Sequence, residues 1–414
     1  MAGAAVRGPG PGSRRPSQPH PGPPALPFPP AGAAGTPGPQ PHPTPSALPL
    51  SPAPPWLLFW FLTAVCWTAP RRFPDWRDTL LDLIGATPNP AVTVPGSDLL
   101  RVAGVVDLVP AFVLLTAVAT VAGASVRGRL VERRYRLDDD LRTPTIAAIA
   151  AYARTRLPAV EVRANLRRTD LLAFAYLRRP RRPRLAVFAP LVVLWRRDRA
   201  AAEAVVRHEL AHCRQGDTLL AGATSPLGFV VRHWFGLFVW TAVVPVGAVW
   251  FADVLDGARY APADLLGGLG LMLLTALGTL LAAVTLPVAG AWSAEFAADH
   301  VAGAAAATRL GATNPRRVAA SLTHPPMALR RRLLDAGPRA TALAAIACYP
   351  VGWLVQLGWL LLAANAAWLQ LGESGTVRAL GLWAAAGWPV WAAAALFLTT
   401  WPLLRRPWAR LVSC

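Results

Sequence analysis

The chain has 414 residues, of which 54% are hydrophobic and only 15% are charged, a balance unlike that of an ordinary soluble protein. The formal net charge is +19, but all 41 basic residues are arginines, and they cluster beside apolar segments. Such clustering is typical of membrane orientation, so we predict the lipid bilayer as a partner and no binding of nucleic acid. The four cysteines are too scattered to form a disulfide framework or a CxxC metal site.

The N-terminal 50 residues are dominated by proline, glycine and alanine, as in "PGPPALPFPPAGAAGTPGPQ". They show neither helical nor strand periodicity, and proline removes backbone hydrogen-bond donors. We therefore predict a disordered tail over residues 1–50.

Six apolar stretches follow this tail, and all but the first have the roughly 20 apolar residues needed to cross the hydrocarbon core. The first stretch is short and bounded by prolines. A cleaved signal peptide is the alternative there, although a proline-rich lead-in of this length is unlike one. The predicted spans cover about 54–70, 99–126, 234–254, 265–292, 341–371 and 377–404.

The arginines set the expected orientation of these spans. Residues 127–226 carry 21 arginines and residues 291–340 carry seven more, whereas the connections at 71–98, 253–264 and 372–376 are short and contain acidic residues. Six spans place both arginine-rich blocks on one face, which the positive-inside rule makes cytoplasmic. We therefore predict a multi-pass protein of the cell (plasma) membrane; the connection at 71–98, which also holds three arginines, fits least well.

Two kinds of element are predicted inside the first arginine-rich block. The stretch "PRLAVFAPLVVLW" (183–195) has short β-branched and aromatic runs interrupted by Pro190, which indicates a small sheet. The following "DRAAAEAVVRHELAHCRQG" (198–216) predicts a helix that begins after Asp198 as N-cap and ends at Gly216.

This predicted helix contains the metal-binding pattern HELAH. Because helical residues four apart share a face, the imidazoles of His208 and His212 can reach one ion. Zinc lowers the pKa of water toward neutrality and polarises a substrate carbonyl. Glu209, beside the two histidines, can accept the proton of the attacking water. The pattern predicts hydrolysis of a peptide bond with one zinc ion as cofactor.

A catalytic zinc site needs a third protein ligand, and "AWSAEFAADHVAG" (291–303) offers two acidic candidates. This stretch is predicted to be helical and follows the fourth span. Glu295 and Asp299 are four residues apart and share a face. One of them can bind zinc while the other holds a ligand imidazole by a hydrogen bond.

Taken together, these motifs resemble the membrane zinc metallopeptidases typified by HtpX and the CAAX prenyl protease. HELAH, a following glycine and aspartate, a two-span hairpin and an ExxxD helix occur in that order. "SLTHPPMALRRRLL" (321–334) is similar to the family's "STHP…R…L" segment, and "LAFAYL" (172–177) resembles its "NAFA" edge strand. The resemblance covers roughly residues 127–335.

The resemblance implies a role for each motif residue. His208, His212 and Glu295 would bind zinc, Glu209 would be the general base, and Asp299 would orient a histidine. His324 would lie near the site, where it would either contact the transition state or have a structural role. Leu172 stands where the family has asparagine, a departure at the position that aligns the substrate backbone.

We therefore predict a mainly α integral membrane protein with about six transmembrane helices and a small α+β cytoplasmic zinc-metallopeptidase domain. The function implied is HtpX-like cleavage of polypeptide substrates at the membrane. The alternatives are an antirepressor-type signalling metalloprotease, which "RHELAHCRQGD" also resembles, and a catalytically inactive scaffold. The predicted organisation is a tail (1–50), two spans (51–126), the HELAH domain (127–226), a transmembrane hairpin (227–292), the ExxxD helix with the rest of the peptidase domain (293–340), two spans (341–404) and a basic tail (405–414).

Overall fold

The computed structural model describes most of the chain from residue 115 to residue 369. The predicted tail over 1–50, the predicted first span and the basic tail lie outside the described residues. Described are 115–138 without 117 and 121, 143–179, 182–216, 218, 225–255, 257, 262–303, 322, 324–369, and positions 392, 395, 396, 399 and 403.

This part of the chain is mostly helical and includes a small sheet. The strands are β1 (Glu161–Asn165), β2 (Ala173–Arg179) and β3 (Arg182–Phe188). A π-helical turn (Val239–Val243) joins the helices Pro226–Phe238 and Val244–Leu255. The helices are α1 (Ala124–Tyr135), α2 (Pro144–Arg156), α3 (Ala189–Arg197), α4 (Arg199–Gln215), α5 (Pro226–Phe238), α6 (Val244–Leu255), α7 (Pro262–Ala302), α8 (Met327–Asp335) and α9 (Pro338–Leu369).

The sheet has the order β1-β3-β2, with β1 parallel and β2 antiparallel to β3. The strand predicted from "LAFAYL" is therefore present, and β2 lies at an edge of the described sheet. On one face the sheet packs against α2, α3 and α4, where Ile149, Leu191 and Val206 are fully buried. On the other face Val131 of α1 packs with Tyr176. Helix α4 therefore packs on one face of the sheet and α1 packs on the opposite face.

The prediction of strand structure across residues 183–195 is correct only in its first half. β3 ends at Phe188, and Ala189–Arg197 forms helix α3. Pro190 lies in the first turn of α3, where a backbone N–H has no partner within the helix and its loss costs nothing. Leu191 and Trp195, four residues apart, are then buried on one helical face.

Helix α4 begins and ends where the sequence predicted. Asp198 Oδ1 accepts a hydrogen bond of 3.0 Å from the Ala201 backbone N–H, as an N-cap does. Gly216 adopts a left-handed conformation with φ of 77°, which favours glycine and ends the helix. These two residues confirm the predicted bounds of the HELAH helix.

Three described segments are long and apolar enough to cross a membrane. They are Gly228–Ala252, Leu266–Ala302 and Pro338–Trp359, and they overlap the third, fourth and fifth predicted spans, although the second of them ends later and the third of them ends earlier than predicted. The first predicted span and most of the second and the last lie outside the described residues. The structure therefore supports three of the six predicted spans.

Helix α7 is continuous through the predicted boundary between the fourth span and the ExxxD segment. Its 41 residues extend about 60 Å at about 1.5 Å per residue, twice the roughly 30 Å of a hydrocarbon core. Ser293 Oγ donates to the Ala345 carbonyl of α9 over 2.8 Å. Gly352 of α9 lets the helices approach closely, because a Cβ there would lie 2.6 Å from the Ala289 Cβ. The close pairing of α7 with α9 fixes the end of α7 that carries Glu295 and Asp299.

Candidate metal centre

Helices α4 and α7 bring three potential metal ligands together. His208 and His212 lie one turn apart on α4, and their Nε2 atoms are 3.2 Å from each other. Glu295, on α7, places Oε2 at 3.6 Å from His208 Nε2 and Oε1 at 3.6 Å from His212 Nε2. His208 and Glu295 are buried, and His212 is partly buried.

These separations fit a metal ion. Bonds of about 2.0–2.2 Å in tetrahedral geometry require ligand atoms about 3.3–3.6 Å apart, close to the 3.2 Å and 3.6 Å observed. Two imidazole nitrogens and a carboxylate are also a donor set that suits zinc and other transition metals. His208, His212 and Glu295 could therefore hold a metal ion.

Asp299 lies one turn beyond Glu295 on α7, on the side of His208 that faces away from Glu295. Its Oδ1 is 3.0 Å from His208 Nδ1, and both side chains are 1% exposed. A carboxylate at this distance can accept a proton from Nδ1, and Nε2 would then be unprotonated and turned toward His212 and Glu295. The predicted proximity of an acidic residue to one of the potential ligand histidines is thus observed between Asp299 and His208.

Glu209 is buried beside the two histidines, and its position is defined by a backbone contact to the sheet. Glu209 Oε2 accepts a hydrogen bond of 3.1 Å from the Ala175 backbone N–H. Ala175 belongs to edge strand β2, so the carboxylate lies between the HELAH helix and the sheet edge.

His324, in the segment before α8, approaches the same centre from a third direction. Its Nε2 is 3.3 Å from Glu295 Oε1, and its side chain is 45% exposed. The structure thus places all six predicted site residues in one region: His208, Glu209, His212, Glu295, Asp299 and His324.

Sequence reasoning gave no role to Arg330, which is central to this region. Arg330 lies on α8 and is 2% exposed. Its Nε donates to Asp299 Oδ2 over 2.7 Å, and its two terminal nitrogens lie 2.6 Å from Asp299 Oδ1 and 2.9 Å from Glu295 Oε2. Burial lowers the pKa of the Arg330 guanidinium, but the carboxylates of Glu295 and Asp299 raise it more, so the pKa lies above its ordinary value.

The signal for Arg330 was present in "SLTHPPMALRRRLL", whose similarity to "STHP…R…L" includes an arginine. Three consecutive arginines, 330–332, occur there, and only the packing of α8 distinguishes them. Arg331 and Arg332 are exposed, whereas Arg330 points inward. A guanidinium that pairs with both carboxylates fixes the acidic side of the centre relative to His208.

Arg330→Met is expected to destabilise the protein by about 3–5 kcal/mol, because removing one member of a buried ion pair leaves the other charge without compensation. Arg331→Met is the matched control, since Arg331 is exposed and such surface changes usually stay within about 0.5 kcal/mol. Denaturation of the detergent-purified variants, with metal removed, measures the difference. Equal stability of the two variants would show that Arg330 does not hold the carboxylates.

Comparisons with known proteins give no relative for this chain: no family model, no curated protein and no solved structure matches it.

Proposed function

We propose that this chain is a membrane-bound, zinc-dependent endopeptidase that hydrolyses peptide bonds of membrane or membrane-associated proteins. The observation that carries the proposal is the convergence of two imidazole nitrogens and a carboxylate on one point, with ligand separations of 3.2–3.6 Å. The HELAH pattern adds a glutamate beside these ligands, which a purely structural metal site does not need.

Each side chain then has a task that follows from its contacts. His208, His212 and Glu295 would hold zinc, which when bound supplies Lewis-acid polarisation of the scissile carbonyl and a lower pKa for water. Glu209 takes the proton from the attacking water, since its carboxylate lies beside the ligand histidines. Asp299 keeps the His208 ring in the orientation that turns Nε2 toward Glu295.

The position of Glu209 against a sheet edge supports a peptide as substrate. An exposed edge strand can pair with an extended peptide through main-chain hydrogen bonds. Ala175, whose N–H donates to Glu209, is itself buried but belongs to β2, which lies at an edge of the described sheet, so a peptide paired with β2 would pass beside the proposed base.

The three apolar helices support a location in the membrane, and the arginine distribution supports a site that faces the cytoplasm. Helix α7 contributes both to an apolar span and to the ligand set. A peptidase built on this helix would meet polypeptides in the membrane or emerging from it. This placement agrees with an HtpX-like role in cleaving damaged membrane proteins.

The test is cleavage of casein by the detergent-purified chain, together with elemental analysis of the bound metal. Stoichiometric zinc with casein cleavage that a chelator abolishes is the expected result. Zinc without cleavage would favour a scaffold. The absence of both would overturn the proposal.

Labelling of single cysteines tests the proposed orientation. In a background without the four native cysteines, Ala258→Cys should react with an impermeant thiol reagent added to intact cells, because residue 258 lies in a short connection expected outside. Ala159→Cys, at an exposed position of the arginine-rich block, should react only after the membrane is permeabilised. The reverse pattern would place the site on the outer face.

A further inference from the structure

The edge of β2 that faces away from β3 can be identified from its hydrogen bonds. Phe188 N donates to Leu172 O over 3.1 Å, so residue 172 pairs with β3 through its backbone. In an antiparallel pair such bonding alternates along the strand. The backbone groups of Ala173, Ala175 and Leu177 therefore point away from β3, and the bond from Ala175 N to Glu209 agrees with this assignment.

Helix α1 lies against the same edge, two residues beyond Ala175. A Cβ on Gly128 would lie 2.5 Å from Leu177 O, 2.6 Å from Arg178 Cα and 2.7 Å from Arg178 O. These are backbone atoms, so the helix backbone itself contacts the strand. Only glycine permits this approach, because any larger residue would force α1 away from β2.

Side chains hold α1 in this position. Glu132 of α1 accepts a hydrogen bond of 3.2 Å from Tyr176 Oη and pairs with Arg178 Nε at 3.1 Å. It also pairs with Arg184 of β3. Val131, on the same side of α1, is buried against the sheet. The contact at Gly128 is thus part of a packed interface.

We propose that α1 terminates the substrate-binding edge, so that a bound peptide must end or turn away within about two residues of the scissile bond on the Leu177 side. This inference rests on the proposed peptidase function and adds a limit on substrate shape. Gly128 and its helix act as specificity-determining elements, although they contact none of the proposed metal ligands.

The limit follows from the dimensions of a sheet. A peptide that extends the sheet must lie about 4.7–4.9 Å from β2, which is the space that the backbone of α1 occupies at Leu177. From Ala175, beside Glu209, to Leu177 there are two residues, or about 6.6 Å of strand at about 3.3 Å per residue. A longer extended segment on that side would overlap α1.

The test uses the full-length protein in detergent and synthetic peptides built on a cleavage sequence identified in casein. Residues are added one at a time on each side of the cleaved bond, and kcat/KM is measured for each peptide. Each added residue that pairs with β2 should raise kcat/KM about 2- to 10-fold, the effect of one net hydrogen bond. On the side of the cleaved bond that runs toward Leu177, the gain in kcat/KM should stop after about two added residues. Gains that continue to four residues on both sides would overturn the inference.

Gly128→Ala tests whether α1 causes the limit. Displacing α1 should let kcat/KM continue to rise for longer peptides on the restricted side. Gly236→Ala is the control, since a Cβ there meets nothing within 4 Å among the described residues. A limit that Gly128→Ala leaves in place, in a variant that cleaves the shortest peptides normally, would overturn the assignment to α1.

A crosslinking experiment tests whether α1 limits the bound peptide, without any substitution in α1. The Glu209→Gln protein is incubated with a peptide that carries a diazirine side chain two residues from the scissile bond on the restricted side. Irradiation followed by mass spectrometry should find the crosslink within Ala124–Tyr135. A crosslink elsewhere would overturn the inference, whereas wild-type protein that cleaves no peptide at all would overturn the proposed function and this inference with it.

Discussion

Glu209→Gln is expected to retain bound metal and to lose peptide hydrolysis by a factor of about 10² to 10⁴ or more, the usual effect of removing a general base. The carboxamide has nearly the same shape as the carboxylate. Its oxygen can still accept the hydrogen bond that Ala175 N donates to Glu209 Oε2. The fold and the ligand set should therefore be preserved while the proton acceptor is lost.

The measurement is kcat/KM on a casein-derived peptide, with zinc content determined on the same preparation. Glu203→Gln is a suitable control, because Glu203 lies on the same helix and pairs with Arg199 away from the proposed ligands. A Glu209→Gln variant with full zinc and full activity would contradict the proposed base. Loss of zinc together with activity would show instead that Glu209 is needed to hold the site.

Glu295→Ala is expected to remove most of the bound metal and all peptide hydrolysis. Glu295 is the potential ligand contributed by α7, and without it only the two α4 imidazoles remain of the group that could hold an ion. Two ligands do not complete the set of three that catalytic zinc requires from a protein. Because Arg330 keeps its paired hydrogen bonds to Asp299, α7 and α8 should remain associated in this variant.

Asp299→Ala provides the comparison for this variant. It leaves all three potential ligands in place but removes the carboxylate that lies 3.0 Å from His208 Nδ1. Removing such a supporting group typically weakens metal affinity by about 10- to 100-fold. Elemental analysis and a competition assay with a chromogenic chelator should therefore rank the affinities as wild type, Asp299→Ala and Glu295→Ala. Stoichiometric zinc and normal cleavage in Glu295→Ala would remove the ExxxD helix from the site.

The sequence by itself determined the local features of α4. Helical periodicity alone places His208 and His212 on one face, whatever the rest of the chain does. Asp198 and Gly216 bound the helix through contacts made with their own neighbours, so the sequence predicted them correctly. The sequence also predicted the apolar character of the third, fourth and fifth spans, because this property depends only on composition and length.

The resemblance to HtpX-type peptidases supplied the association of Glu295 and Asp299 with the HELAH helix, and the comparisons found no relative to test it. Spacing alone left open which of the two carboxylates would face a metal ion. The structure distinguishes them by geometry, since Glu295 faces both Nε2 atoms and Asp299 faces His208 Nδ1. That distinction depends on how α7 lies against α4, which no local pattern encodes.

Only the tertiary structure decided the remaining features. The run after Phe188 reads as strand by its β-branched residues, but Pro190 and the burial of Leu191 and Trp195 make it a helix. Arg330 is indistinguishable from its two neighbours in sequence, and the rotation of α8 against α7 determines which arginine is buried. The contact of Gly128 with β2 joins residues about 50 positions apart. Each of these features depends on packing between elements distant in sequence, and hydrophobic periodicity describes only which face of an element is buried, not what covers it.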